Sequence, residues 1–82
     1  MFSGIRSNFV ANQRSMRVII EKAEKNYSAY IAEVDGIAST GVTIEEVKRH
    51  ILEAVEIYKE ECIANGFDIP KELYSEATFH EV

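Results

Sequence analysis

The 82-residue chain has little of what small disulfide-rich or metal-binding domains rely on: one cysteine, one proline, two histidines and no tryptophan. The single cysteine excludes an internal disulfide framework and argues against a cysteine-based zinc site. No apolar run approaches the roughly 20 residues that span a bilayer, and residues 1–15 lack the continuous apolar stretch of a signal peptide. We therefore predict a cytoplasmic protein without a membrane partner or a cofactor.

Few residues offer catalytic or metal-binding chemistry. His50 and His80 have no second histidine or cysteine at ligand spacing, so we expect surface or packing roles for both and no metal site. Cys62 falls on the apolar side of a predicted helix, which favours a buried structural thiol over a nucleophile. Gly36 and Gly41 are interpreted as turn residues rather than a phosphate-binding loop. No catalytic residue is predicted from these side chains.

Charge is distributed unevenly along the chain. The net charge is −5, but all 14 acidic and seven of the nine basic residues lie in residues 16–82, which carry −7. Residues 1–15 contain only Arg6 and Arg14 as charged side chains. An acidic body repels the phosphates of nucleic acids and suits a basic protein partner. The alternative is an acidic solvated surface that has no particular partner.

Three strands are predicted in residues 16–41. "MRVIIEK" is a β-branched run bounded by charges, and "YSAYIAEV" at 27–34 is apolar on both alternations. That second strand is therefore expected to be covered on both faces or central in its sheet. Asp35-Gly36 is a turn signal that precedes a short third strand, "IASTG". The tight connections predict an antiparallel meander.

A long amphipathic helix follows the meander. Thr43 is the expected N-cap, Glu46 completes a capping box, and Asn65-Gly66 ends the helix. The helix must lie on the sheet, because so small a sheet cannot bury its apolar face alone. Its apolar stripe is expected to comprise Ile44, Val47, Ile51, Val55, Tyr58 and Cys62, widened by Leu52, Ala54 and Ile63.

The two ends of the chain complete the predicted α+β domain, with element order β-β-β-α-β. A last strand around 74–80 is expected to return to the sheet edge. Residues 16–82 form the single domain, and residues 1–15 are a leader. Spacing of Phe2, Ile5 and Phe9 suits a short docked helix; the alternative is a leader outside the core, with Met16 as the true start.

The candidate partner-binding residues are two tyrosines and two acids near the second strand: Tyr27, Tyr30, Glu33 and Asp35. The tyrosines fall on opposite faces, so either could anchor a partner, and the alternative is that both are packed. A metal-dependent nuclease would instead need a convergent carboxylate pair. Glu21, Glu33 and Asp35 lie at or near strand ends, where such a pair could meet, and Glu21 and Glu33 could face each other across the first hairpin. Exposed strand-end acids are the simpler interpretation.

Residues 16 to about 70 resemble the HicB family of antitoxins in the order and spacing of several short motifs. Asn26-Tyr27 stands where the family has Gly-Tyr at a hairpin, and "AEVDGI" at 32–37 stands where it has a proline-rich turn. Gly41-Val42-Thr43 replaces Gly-Asp-Thr before the helix. "EAVEIY" at 53–58 and Gly66 with Pro70 match the helix and its closing segment.

This resemblance implies a partial RNase H-like fold and a cytoplasmic antitoxin. The implied partner is a small basic toxin that cleaves mRNA and is neutralised by occlusion of its active site. The 12 residues after Pro70 are too few for the DNA-binding module that family members often carry, so no direct DNA binding is expected. A self-associating domain without a toxin is the alternative. Because short sheets leave edges that pair, a homo-oligomer is expected in either case.

Overall fold

The computed structural model describes residues 15–82, so the predicted leader lies outside the described residues except for Ser15. That range contains four strands, one α-helix and one short 3₁₀ helix. The elements are β1 Met16–Lys22, β2 Tyr27–Ile31, β3 Ala38–Gly41, α1 Ile44–Asn65, a short 3₁₀ helix Lys71–Tyr74, and β4 Ala77–Glu81. Among these residues, no helix combines the length and the apolar composition that a membrane crossing requires.

The four strands form one mixed sheet in the order β3-β2-β1-β4. The first three make the predicted antiparallel meander, in which Ile20 lies opposite Ala29 and Ala29 opposite Ser39. Strand β4 lies beside β1 and runs parallel to it, with Val18 opposite Phe79. The predicted α+β class and the element order β-β-β-α-β are therefore confirmed, and β4 occupies the expected sheet edge.

The helix covers one face of the sheet, as its apolar stripe predicts. Val47, Ile51 and Val55 are buried in the same cluster as Val18 and Ile20 from β1. Burying each such side chain stabilises the fold by about 1.5–3 kcal/mol. The wider stripe was wrong at Leu52 and Ile63, which are exposed.

Both helix ends are formed by the residues that the sequence indicates. Thr43 Oγ1 accepts a hydrogen bond from the Glu46 amide at 3.0 Å. The Glu46 carboxylate in turn accepts from the amide of Val42, one residue before the cap, at 2.6 Å. Gly66 ends the helix in the left-handed conformation, with φ of 73°. That geometry favours glycine because a Cβ atom would crowd the backbone.

Two strand boundaries differ from the prediction. Strand β2 ends at Ile31 rather than continuing to residue 34, and residues 32–36 form a turn. Its second face is not covered, since Tyr30 is 42% exposed, but the strand lies between β3 and β1, so its predicted central position in the sheet is confirmed. The last strand begins at Ala77 rather than near 74, because the 3₁₀ helix after Pro70 first buries Leu73 against the core.

Candidate protein-binding surface

The sheet face opposite α1 is the candidate functional surface. Side chains alternate along a strand, so residues whose neighbours are buried under α1 must point to the other side. No element of residues 15–82 packs on that side of the sheet, which we call the open face. Its members are Arg17, Ile19, Glu21, Ser28, Tyr30, Ala38, Thr40, Thr78 and His80.

One row of side chains crosses the centre of the open face through all four strands. Ile19 lies opposite Tyr30 on one side and opposite His80 on the other, and Tyr30 lies opposite Ala38. Ile19 is half-buried, while the other three are exposed. His80 Nε2 is 2.9 Å from Thr78 Oγ1 in the same strand. The row thus presents a large aromatic ring between an aliphatic side chain and a small one.

An ion pair closes one end of the open face. Arg17 Nε donates to Glu33 Oε2 at 2.6 Å, and the Arg17 amide donates to Glu33 Oε1 at 2.9 Å. The Ala32 amide also donates to the Arg17 carbonyl oxygen, at 2.9 Å. These three bonds hold the turn after β2 against the first residues of β1, so the acid is part of the turn's structure.

The Arg17 contacts keep Glu33 ionised to lower pH than an ordinary glutamate. Partial burial is the largest single influence and raises the pKa of Glu33. The hydrogen bonds from the Arg17 side chain and amide, together with its positive charge, outweigh burial, so the pKa is lowered from its usual 4.5.

Removing this carboxylate should weaken the acid dependence of folding. Since the folded-state pKa lies below the unfolded one, Glu33 contributes stability that is fully present above pH 4.5 and is lost as the pH falls through the folded pKa. We expect Glu33→Gln to reduce the slope of the free energy of unfolding against pH in that acid range, as measured by urea titrations at a series of pH values. Arg17→Gln should remove only the part that depends on the Arg17 side chain, because the hydrogen bond from the residue-17 amide remains, and the double variant should be no flatter than Glu33→Gln alone. An unchanged slope in Glu33→Gln would contradict the assignment.

The structure brings together only some of the predicted binding residues. Tyr30 lies at the centre of the open face, and Glu33 lies at its end. Asp35 is exposed in the adjoining turn. Tyr27 points to the other side, where it packs half-buried against the core and Lys22 Nζ lies 5.8 Å from its ring centroid. The prediction that these two tyrosines occupy opposite faces is confirmed.

Three members of the central row were not predicted from the sequence: Ile19, Ala38 and His80. Ile19 could have been found from the alternation along β1. It lies between Val18 and Ile20, so it must point to the opposite face from these two residues. Finding His80 requires the register of β4 against β1, which joins residues about sixty positions apart in the chain and leaves no local pattern.

The carboxylates proposed for a nuclease are spread apart. Glu21 lies opposite Ser28 in the first hairpin, so the alternative in which Glu21 and Glu33 face each other is not formed. Glu33 instead binds Arg17, which is four residues from Glu21 along β1, or about 13 Å. Within residues 15–82, no three histidine, cysteine, aspartate or glutamate side chains form a potential metal site. His50 Nδ1 lies 2.6 Å from the Thr40 carbonyl oxygen and ties α1 to β3.

Fold and surface together define a small α+β domain with one sheet face covered by a helix and one left open. Comparison of the chain with protein-family models, with curated proteins and with solved structures gives no match in any of the three.

Proposed function

We propose that this protein is a cytoplasmic antitoxin of the HicB type, which binds a small basic ribonuclease toxin and covers its active site. The observation that carries the proposal is the open face, where Tyr30 is 42% exposed in the row of side chains that crosses all four strands. A tyrosine surrounded by shorter side chains suits the anchor of a protein interface, since tyrosine gives a large contact area at low entropy cost.

The charge of the domain supports a basic partner. Residues 16–82 carry −7, and opposite charge accelerates association by steering the two proteins together. The acids on the open face and in the adjoining turn contribute differently. Glu33 is already paired with Arg17, whereas Glu21 and Asp35 are exposed and are available to a basic side chain. The motif resemblance in residues 16–70 points to the same class of partner. We do not propose a nuclease role, because Glu21 and Glu33 do not face each other and Glu33 is paired with Arg17.

The direct test is co-expression of the tagged chain with the product of the adjacent gene. A stable complex, together with recovery of growth when that product is toxic alone, is the expected result. If neither a complex nor growth recovery is obtained, the antitoxin proposal is wrong for this protein. Cleavage of a reporter mRNA in the presence and absence of the chain then measures occlusion of the toxin's active site.

Tyr30→Ala should weaken that complex by about 10- to 100-fold in Kd, the range of an interface hot spot. Titration calorimetry with the purified partner measures the change, and circular dichroism confirms the fold. Phe67→Ala is the matched control, because Phe67 is also an exposed aromatic residue, at 69%, and follows the helix rather than the sheet. Loss of affinity in the Phe67 variant, with Tyr30→Ala unchanged, would place the interface away from the open face.

A further inference from the structure

An apolar groove runs between α1 and β4 on the helix side of the sheet. It arises because α1 packs mainly over β3 and β2, which leaves the β4 side of that face partly uncovered. The groove has a volume of about 540 Å³. Tyr74 in it is 66% exposed and Leu52 is 40% exposed. Its apolar walls are formed by Met16, Leu52, Val55, Leu73, Tyr74 and Phe79.

The groove borders a strand whose outer backbone is unpaired in the described part of the chain. Strand β4 is the last strand of the sheet. The Val82 amide donates to the Ile20 carbonyl oxygen at 2.9 Å, so the backbone of Val82 and of alternate residues before it faces β1. The N–H and C=O groups of Ala77, Phe79 and Glu81 therefore point to the free side. Such a row of donors and acceptors is a template for another strand.

We propose that the free edge and the groove are covered together by a second copy of this chain, through antiparallel pairing of the two β4 strands about a two-fold axis at Phe79. Phe79 of each copy then exchanges two backbone hydrogen bonds with the other, as a hydrogen-bonded antiparallel pair does. The Phe79 side chains meet on the groove side of the joined sheet. One symmetric contact thus covers both features, and such self-complementary interfaces are the commonest in oligomers.

Charges at the ends of the strand fit the same register. Pairing at Phe79 places Ala77 opposite Glu81 of the second copy. Ala77 and Lys59 line the same groove, where Lys59 Nζ is 4.8 Å from the Tyr74 ring centroid and 3.1 Å from the Glu56 carboxylate. The proposed register therefore brings each Glu81 carboxylate to the side of the groove that carries Lys59, which it would share with Glu56. The open faces stay uncovered and form one continuous surface, so this dimer does not depend on the proposed toxin binding.

The test is the mass of the pure full-length chain by light scattering and sedimentation, without any partner. A dimer has twice the 9.3 kDa of the chain. Two variants should raise the dimer dissociation constant about 100-fold or more. Tyr74→Asp places a charge in the groove. Ala77→Pro removes an outward-facing donor without touching the bonds to β1, and proline is tolerated at such a position, the first residue of an edge strand.

Phe67→Asp is the matched control, because Phe67 and Tyr74 are exposed to nearly the same extent, and it should remain dimeric. A wild-type chain that is monomeric at 100-fold the concentration used for toxin binding overturns the proposal. So does a dimer that neither Tyr74→Asp nor Ala77→Pro weakens. A monomer in which Ile5→Asp and Tyr74→Asp lower the melting temperature equally would assign the groove to residues 1–14 instead, and would also overturn it.

Discussion

Ile51→Ala should lower the free energy of unfolding by about 2–5 kcal/mol, the cost of leaving a cavity in a packed core. Ile51 is fully buried in the cluster that joins α1 to the sheet. For a domain of this size, each kcal/mol lowers the melting temperature by about 4–8 °C. Since small domains have about 5–15 kcal/mol of total stability, this single change should remove a large share of it. Urea titration of the purified variants measures the effect.

Ile57→Ala is the matched control for that prediction. It removes the same atoms from the same helix, but Ile57 is 56% exposed. Its expected effect lies within about 0.5 kcal/mol of the wild type. Equal losses for the two variants would mean that α1 does not bury its Ile51 side on the sheet. The helix would then not distinguish a covered face of the sheet from the open face, and Tyr30 would no longer mark a binding surface.

Most of the local structure follows from short-range sequence signals. The capping box at Thr43 and Glu46 and the glycine at 66 involve residues close together in the chain, and the structure forms both. The buried positions along the helix could be predicted for the same reason, since a period of 3.6 residues is repeated over many residues. Only its widening to Leu52 and Ile63 fails, because the width of a stripe depends on how much sheet lies beneath it.

The ends of the strands could not be predicted, because non-local contacts set them. The apolar pattern of "YSAYIAEV" continues through Val34, which is indeed buried. The chain nevertheless turns after Ile31, where Arg17 binds Glu33 across a separation of 16 residues. Val34 enters the core from the turn rather than from a strand. Burial could therefore be predicted at this position, whereas the conformation that achieves it could not.

The candidate surface was only half predictable for a related reason. Alternation shows that Tyr27 and Tyr30 point to opposite sides, but not which side the helix covers. That choice depends on contacts between distant parts of the chain. Gly41 of β3 lies against the first turn of α1, and the register of β3 with β2 places Gly41 opposite Tyr27, so Tyr27 points to the helix side. Once α1 is placed on the side of Tyr27, Tyr30 must be open. The position of His80 next to Ile19 follows from the parallel β4, which no sequence pattern indicated.

Gly41→Ala should cost about 3 kcal/mol, near the upper end for an overpacked site. A Cβ atom at Gly41 would lie 2.6 Å from the Val47 backbone nitrogen, closer than real Cβ contacts come. The obstacle is backbone in the first turn of α1, where the Val47 amide donates to Thr43, so no side chain can rotate away. Gly41 was interpreted as a turn residue, but the structure gives it a different role: it lets the end of β3 approach the helix.

Gly66→Ala separates this close approach from ordinary backbone strain. Gly66 has φ of 73° but nothing within 4 Å of an added Cβ, so its replacement should cost only about 1 kcal/mol, the penalty of a left-handed residue. Urea titrations of the two variants in parallel give the comparison. If Gly41→Ala costs no more than Gly66→Ala, then α1 and β3 do not meet as closely as described.

The Gly41→Ala variant should also keep its binding affinity. Because the clash lies on the helix side of the sheet, the molecules of this variant that stay folded should bind the proposed toxin, which contacts Tyr30 on the open face, as tightly as the wild type does. Gly41→Ala is thus expected to lose stability and keep its affinity, whereas Tyr30→Ala is expected to lose affinity and keep its fold.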